Sequence, residues 1–140
     1  MSSKSVTMAL VGAKAFSINR MSCRDARFKT KDFKDWYAIT KEMIVNNPNY
    51  GELLCLAEDL LDNPKLTISF RMNVAYPENT FTTGNGVISS KTMDCSNVEK
   101  PLVDLVVGDI MGINDKRVVQ LVSTKGTAVD YLVGFTVEVL

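Results

Sequence analysis

The sequence contains no histidine among its 140 residues. This absence removes the commonest general base, the Ser–His and Cys–His nucleophile pairs, and the commonest metal ligand. The three cysteines, Cys23, Cys55 and Cys95, are odd in number and widely spaced, which favours neither a disulfide framework nor a zinc site. We therefore expect a protein from a reducing compartment that is not an enzyme, with no catalytic residue, metal or cofactor.

Long apolar runs are also missing, since none approaches the roughly 20 residues that a helix needs to cross a bilayer. What the chain does contain is an ordinary globular composition, with 46% hydrophobic and 23% charged residues. A chain of this length buries a sizeable core without disulfides. No linker, repeat or low-complexity tract interrupts it, so residues 1–140 are expected to form a single domain.

The charges are balanced overall but unevenly distributed along the chain. Residues 1–41 hold nine basic and three acidic residues, a net charge of +6, whereas the remainder holds seven basic and thirteen acidic residues, a net charge of −6. A molecule with this distribution has two electrical poles. Its basic end is suited to anions or to the acidic end of a second copy.

The first half of the sequence predicts a strand and two helices. Weak alternation over residues 6–18 indicates the strand, and Thr30 is a suitable N-cap for a helix over 31–46. Asn49 is placed to cap a second helix over 50–61, so that the two helices form an αα-hairpin. Residues at three- and four-residue steps give the first helix one apolar face: Phe33, Trp36, Tyr37, Thr40, Met43 and Ile44.

The middle of the chain is predicted to be mainly β. Apolar and polar residues alternate over 66–74, which is typical of a half-buried strand. Residues 81–90 are predicted as a partner strand interrupted at Gly84–Gly86, and 91–101 as a loop. The apolar run at 102–107 fits a strand or a helix equally, because periodicity alone does not distinguish the two in so short a run.

The C-terminal residues predict a hairpin. Two β-branched runs, 117–124 and 127–140, flank Lys125–Gly126, which is a turn signal. The final run fits an edge strand, free to pair with another chain, and a central strand equally well. The order of elements predicts an α+β fold with a mainly antiparallel sheet packed against the αα-hairpin.

Residues 20–34, which we call the basic segment, are the candidate binding surface. Cations near an anionic membrane contribute about 1 kcal/mol each. The same side chains can neutralise RNA phosphates, with Phe28 stacking on a base. A solvated connector with no partner is the third interpretation. The anion-facing residues are Arg20, Arg24, Arg27, Lys29, Lys31 and Lys34.

The order of elements from about Val6 to Leu140 resembles the matrix proteins of rhabdoviruses. The similarity is closest over residues 118–127, which look like the late hairpin of that family with its Lys-Gly-Thr turn. Only Lys4 precedes the first strand, and no Pro-Pro-x-Tyr motif occurs. The sequence is therefore most similar to a short member, such as one from a plant-infecting lineage.

The resemblance implies a structural protein of the virion that polymerises non-covalently, condenses the ribonucleoprotein and links it to the membrane during assembly and budding. Its implied partners are itself, the viral nucleocapsid, an anionic membrane surface and RNA. Its implied location is the virion and the host cytoplasm or nucleus, peripheral to the inner leaflet. Two hypotheses compete with it: an RNA-binding accessory or capsid-type protein, and a small-ligand carrier or enzyme with a pocket between helices and sheet.

Overall fold

The first half of the chain forms a strand followed by two helices, as predicted. The computed structural model describes residues 4–20 and 29–140, with Arg20 described by its backbone alone. Strand β1 covers Ser5–Val11, helix α1 covers Lys31–Val45 and helix α2 covers Tyr50–Asp62. The strand is shorter than predicted because Gly12 turns the chain with a φ of 85°, a conformation that favours glycine.

Of the two predicted N-caps, only Thr30 caps its helix with its side chain. The Thr30 hydroxyl accepts a hydrogen bond from the Phe33 backbone N–H at 3.1 Å, which satisfies one of the free donors at the start of α1. Asn49 stands at the N-cap position of α2 but makes no capping hydrogen bond. Its Nδ2 instead donates to the carbonyl oxygen of Thr7 in β1 at 2.8 Å, and thereby ties the start of α2 to the sheet.

The second half adds three strands and a helical crossover. Strand β2 covers Ile68–Pro77, and the single-turn helix α3 covers Glu78–Phe81. Helix α4, Cys95–Val103, continues into π-helical turns over Asp104–Ile110. Strands β3, Val118–Ala128, and β4, Leu132–Val139, complete the chain.

The four strands form one mixed sheet in the order β1-β4-β2-β3. The pairs β1–β4 and β4–β2 are antiparallel, and β2–β3 is parallel. Residues 78–117 are the crossover that a parallel pair requires. The α+β class is confirmed. The C-terminal strand is central, paired on both sides, so its interpretation as an edge is wrong and β3 takes that position.

The predicted hairpin at Lys125–Gly126 is wrong. Strand β3 runs straight through both residues, because Gly126 keeps a negative φ and pairs with Ala75 of β2. The chain turns later, at residues 129–131, where the Asp130 carboxylate accepts the Tyr131 N–H at 2.7 Å. Strands β3 and β4 then lie on opposite sides of β2 and do not pair with each other.

Two predictions for residues 81–101 are also wrong. Instead of a partner strand, residues 82–88 form a loop held by a single β-bridge between Thr82 and Ile88. Instead of a loop, the residues before the apolar run form α4, which contains Pro101 near its end. Proline normally argues against a helix interior, because it has no N–H to donate to the carbonyl oxygen four residues before it, yet the helix continues through Pro101 into the π-helical turns.

The helices cover one face of the sheet and enclose the core. Alternate residues of the strands point into a cluster that includes Met8, Phe70, Val137 and Leu60 of α2. Phe70 and Phe135 stack at its centre, with ring centroids 5.8 Å apart. No described helix covers the opposite face, which we call the polar face and which carries the exposed residues of the alternation.

Candidate interaction surfaces

The described part of the basic segment is exposed at the start of α1. Lys29, Lys31 and Lys34 all lie at the surface. The ammonium group of Lys31 is 3.3 Å from the Asp35 carboxylate, and that of Lys29 is 5.8 Å from the centroid of the Phe33 ring. Three positive side chains are thus displayed together. The other predicted residues of this surface, Arg24, Arg27 and the side chain of Arg20, lie outside the described residues, as does Phe28.

An aromatic cluster joins the chain that precedes the basic segment to the start of α1. Phe16, which follows β1, packs edge-on against Phe33 of α1, with ring centroids 5.8 Å apart. Trp36 and Tyr37 lie 6.0 Å and 5.6 Å from the same Phe33 ring. The Trp36 indole N–H also donates to the carbonyl oxygen of Lys14 at 2.7 Å. The predicted apolar face of α1 therefore packs, through its first turns, against the chain after β1.

A polar contact joins α1 to the π-helical turns after α4. The Tyr37 hydroxyl donates a hydrogen bond to the Asp109 carboxylate, and the Lys41 ammonium lies 3.0 Å from the same oxygen. The hydrogen bonds from Tyr37 and Lys41 lower the pKa of Asp109. Burial, the hydrogen bond to Asp109 and the negative charge of Asp109 raise the pKa of Tyr37.

We expect Asp109→Asn to reduce stability at neutral pH and to have less effect in acid. The folded pKa of Asp109 lies below its ordinary value of 3.8, so its contribution is present above that value and is lost as the pH falls through the folded pKa. Urea unfolding of both proteins between about pH 7 and pH 2 measures the difference in unfolding free energy. Solvent screening keeps this difference small, because Asp109 is partly exposed.

The matched control for this prediction is Asp62→Asn, at the exposed end of α2. Asp62 makes no ion pair with a described residue, so its replacement is expected to change the free energy of unfolding at neutral pH less than Asp109→Asn does. The assigned role of the Asp109 carboxylate would be contradicted if wild type and Asp109→Asn differed in their free energy of unfolding by the same amount at every pH down to the lowest.

Among the described residues, two ion pairs connect the basic N-terminal region, residues 1–41, with the acidic remainder of the chain. Lys4 pairs with Asp59 of α2, and Lys41 pairs with Asp109. Both pairs lie at the surface and contribute little stability. They neutralise part of the charge of the basic and acidic regions, while Lys29, Lys31 and Lys34 remain exposed beside α1, with Lys31 close to Asp35.

The outer edge of β3 is a long exposed strand. Over Val118–Ala128 no described strand pairs with it on the side away from β2. Its apolar side chains are exposed, at 60% for Val119, 42% for Leu121 and 38% for Val122. The opposite edge of the sheet, at β1, is blocked at Thr7 by the side chain of Asn49. The sheet therefore presents one open edge and one obstructed edge.

The polar face of the sheet carries mainly polar and small side chains, and its larger apolar residues are Val11, Leu132 and Val122. Pairs across neighbouring strands bond to one another: Thr7 to Thr136 at 2.8 Å, Asn73 to Thr124 at 3.0 Å and Ser69 to Gln120 at 2.7 Å. None of the strand residues on this face is aromatic. The face consequently offers no stacking platform of the kind that single-stranded nucleic acids use.

Within residues 4–20 and 29–140, no group of three or more metal-ligating side chains comes together. None of the described helices is long and apolar enough to cross a membrane. No protein-family model matches the chain, and a search of curated proteins finds no similar sequence.

Proposed function

We propose that this chain is a viral matrix or assembly protein that self-associates, condenses a ribonucleoprotein and links it to a membrane surface. The observation that carries the proposal is the exposed outer edge of β3. A strand edge presents unpaired backbone N–H and C=O groups, which form hydrogen bonds with a strand of another chain. Exposed Val119, Leu121 and Val122 add apolar area to such a contact.

The composition of β3 supports pairing of its outer edge with a strand of another chain. Monomeric proteins commonly protect an edge with charged side chains that repel a second strand. Between Val118 and Ala128 the only charged residue is Lys125, and its ammonium group bends back onto the molecule. It donates to the Thr92 hydroxyl at 3.1 Å and to the Met93 carbonyl oxygen at 3.4 Å. The edge of β3 is therefore left without a projecting charge.

The basic surface at α1 supports the anion-binding part of the proposal. Lys31 and Lys34 are about one turn apart on the same helix, and Lys29 precedes the N-cap residue Thr30. With Arg20, Arg24 and Arg27 of the same segment, they make the region suited to an acidic membrane leaflet or a ribonucleoprotein. The resemblance to rhabdovirus matrix proteins implies that the outer edge of β3 and the basic segment act together in assembling a protein layer on a membrane.

Light scattering on the purified full chain tests the proposal. At low salt we expect the average mass to rise with protein concentration, and to fall as salt screens the contacts between basic and acidic regions. Flotation with vesicles should show binding to phosphatidylserine-containing membranes and little binding to pure phosphatidylcholine. A mass that stays monomeric at high concentration and low salt would contradict the proposal.

An RNA-binding accessory or capsid-type protein is the alternative, and the basic segment favours it. For this alternative, replacing Lys29, Lys31 and Lys34 by alanine should weaken RNA binding and flatten its salt dependence. The matched control replaces Lys65, Lys100 and Lys116, three exposed lysines outside the basic segment. Tight RNA binding by a strict monomer would favour this alternative over a matrix protein.

A further inference from the structure

A cavity of about 330 Å³ lies beside the C-terminal end of β2 and the start of β4. It is lined by Lys14, Tyr76, Thr80, Lys91, Met93 and Tyr131, among others, and we call it the tyrosine cavity. No carboxylate lines it. Its volume is at the small end of the range of about 300–1,000 Å³ typical of ligand sites. We propose that the tyrosine cavity binds a phosphate monoester.

The two lysines supply the charge for this ligand. The ammonium group of Lys14 lies 4.5 Å from the centroid of the Tyr131 ring, a cation–π contact that orients it without neutralising it. Neither Lys14 nor Lys91 forms an ion pair with any described residue. Two positive charges at one concave site, with no carboxylate in its lining, match the charge of about −1.5 to −2 that a phosphate monoester carries at pH 7.

Tyr76 supplies a hydrogen-bond donor. Its side chain is buried, with 4% of the residue exposed, and it lines the cavity. The hydroxyl oxygen accepts a hydrogen bond from the Met93 backbone N–H at 3.1 Å, while no described residue accepts the hydroxyl proton. Burial raises the pKa of this hydroxyl, so it keeps its proton at neutral pH. A neutral donor beside two ammonium groups favours a ligand that has several acceptor oxygens.

The cavity adjoins the aromatic cluster through Lys14. The carbonyl oxygen of Lys14 accepts the hydrogen bond from Trp36, whose ring packs against Phe33 next to Lys29. A phosphate held in the cavity has two possible sources, a lipid headgroup and a soluble phosphorylated molecule. The lipid source rests on the proposed membrane-binding function, whereas the soluble source does not.

Isothermal titration of the full chain with glycerol 3-phosphate and with inorganic phosphate tests the site. We expect saturable binding that Lys14→Met and Lys91→Met each weaken by about tenfold, since each variant removes a charge-assisted hydrogen bond. Lys65→Met is the matched control, because Lys65 is equally a surface lysine but lies in the turn between α2 and β2. Tyr76→Phe should weaken binding less and keep the fold.

Flotation with phosphatidylcholine vesicles, with and without phosphatidic acid, separates the two sources. Vesicle binding that needs both Lys14 and Lys91 supports a lipid headgroup. Binding of soluble phosphate alone supports the cavity and excludes the lipid headgroup as its ligand, whereas membrane binding by the basic segment is tested separately with the phosphatidylserine vesicles. The site is overturned if no saturable phosphate binding occurs, or if Lys65→Met weakens binding as much as the cavity variants. Self-association is measured separately by light scattering, so failure of one proposal is distinguishable from failure of the other.

Discussion

Val119→Lys is expected to weaken self-association by on the order of 100-fold, so that the average mass at low salt falls to that of the monomer. The substitution adds a charge to the outer edge of β3, where Val119 is 60% exposed. When a strand of a second chain pairs with this edge, the introduced lysine ammonium group would be buried or would lie close to that of the other chain. Either arrangement costs several kcal/mol. Light scattering over a concentration series measures the effect.

The matched control is Val87→Lys. Val87 is 62% exposed, close to the exposure of Val119, but it lies in the loop at residues 82–88 and outside the sheet. Both variants change the net charge equally, so a general effect of charge on association would appear in both. Circular dichroism should show the same secondary structure in each. If Val87→Lys dissociates the protein as fully as Val119→Lys, the edge of β3 is not the contact.

Phe33→Ala is expected to lower the free energy of unfolding by about 3 kcal/mol. The ring is 7% exposed and contacts Phe16, Trp36 and Tyr37 in the aromatic cluster. Alanine would remove these contacts and leave a space between α1 and the chain after β1, which relaxes only in part. Urea unfolding monitored by Trp36 fluorescence measures the loss, since Trp36 is the only tryptophan in the chain.

The Phe33→Leu variant distinguishes the stability that comes from buried volume from the stability that comes from contacts between aromatic rings. Leucine keeps most of the buried volume, so the expected loss is about 1 kcal/mol. Binding to anionic vesicles should decrease in Phe33→Ala and be retained in Phe33→Leu, because the cluster positions the base of the basic segment. A loss below about 1 kcal/mol in Phe33→Ala would show that the cluster does not anchor α1.

The local elements with a strong period were predictable from sequence. Helix α1 has its apolar residues at three- and four-residue steps behind a threonine N-cap, and both features act within a few residues of one another. Strand β2 was predicted from the alternation of apolar and polar residues in its sequence, which is the pattern of a strand with one face turned to the core. The basic segment was likewise visible as a run of cations. For each of these, the deciding interactions lie within a few residues along the chain.

Errors occurred where a local signal competed with distant partners. Lys125–Gly126 has the composition of a turn, yet pairing with β2 over Val118–Ala128 keeps both residues extended. Pro101 argues against a helix, yet the apolar face of α4 packs on the core through Val98, Leu102 and Val103. In both places tertiary packing outweighs a local preference that amounts to only a few kcal/mol.

The sequence by itself determined the α+β class, the helix pair and the exposed cations, because periodicity and charge are properties of neighbouring residues. The tertiary structure alone decided the strand order, which makes β4 central and β3 the open edge. It also brought Lys14 and Lys91 to one cavity and Asp109 to Tyr37 and Lys41. These contacts depend on how distant segments close around a shared core, and no short window of sequence contains both partners.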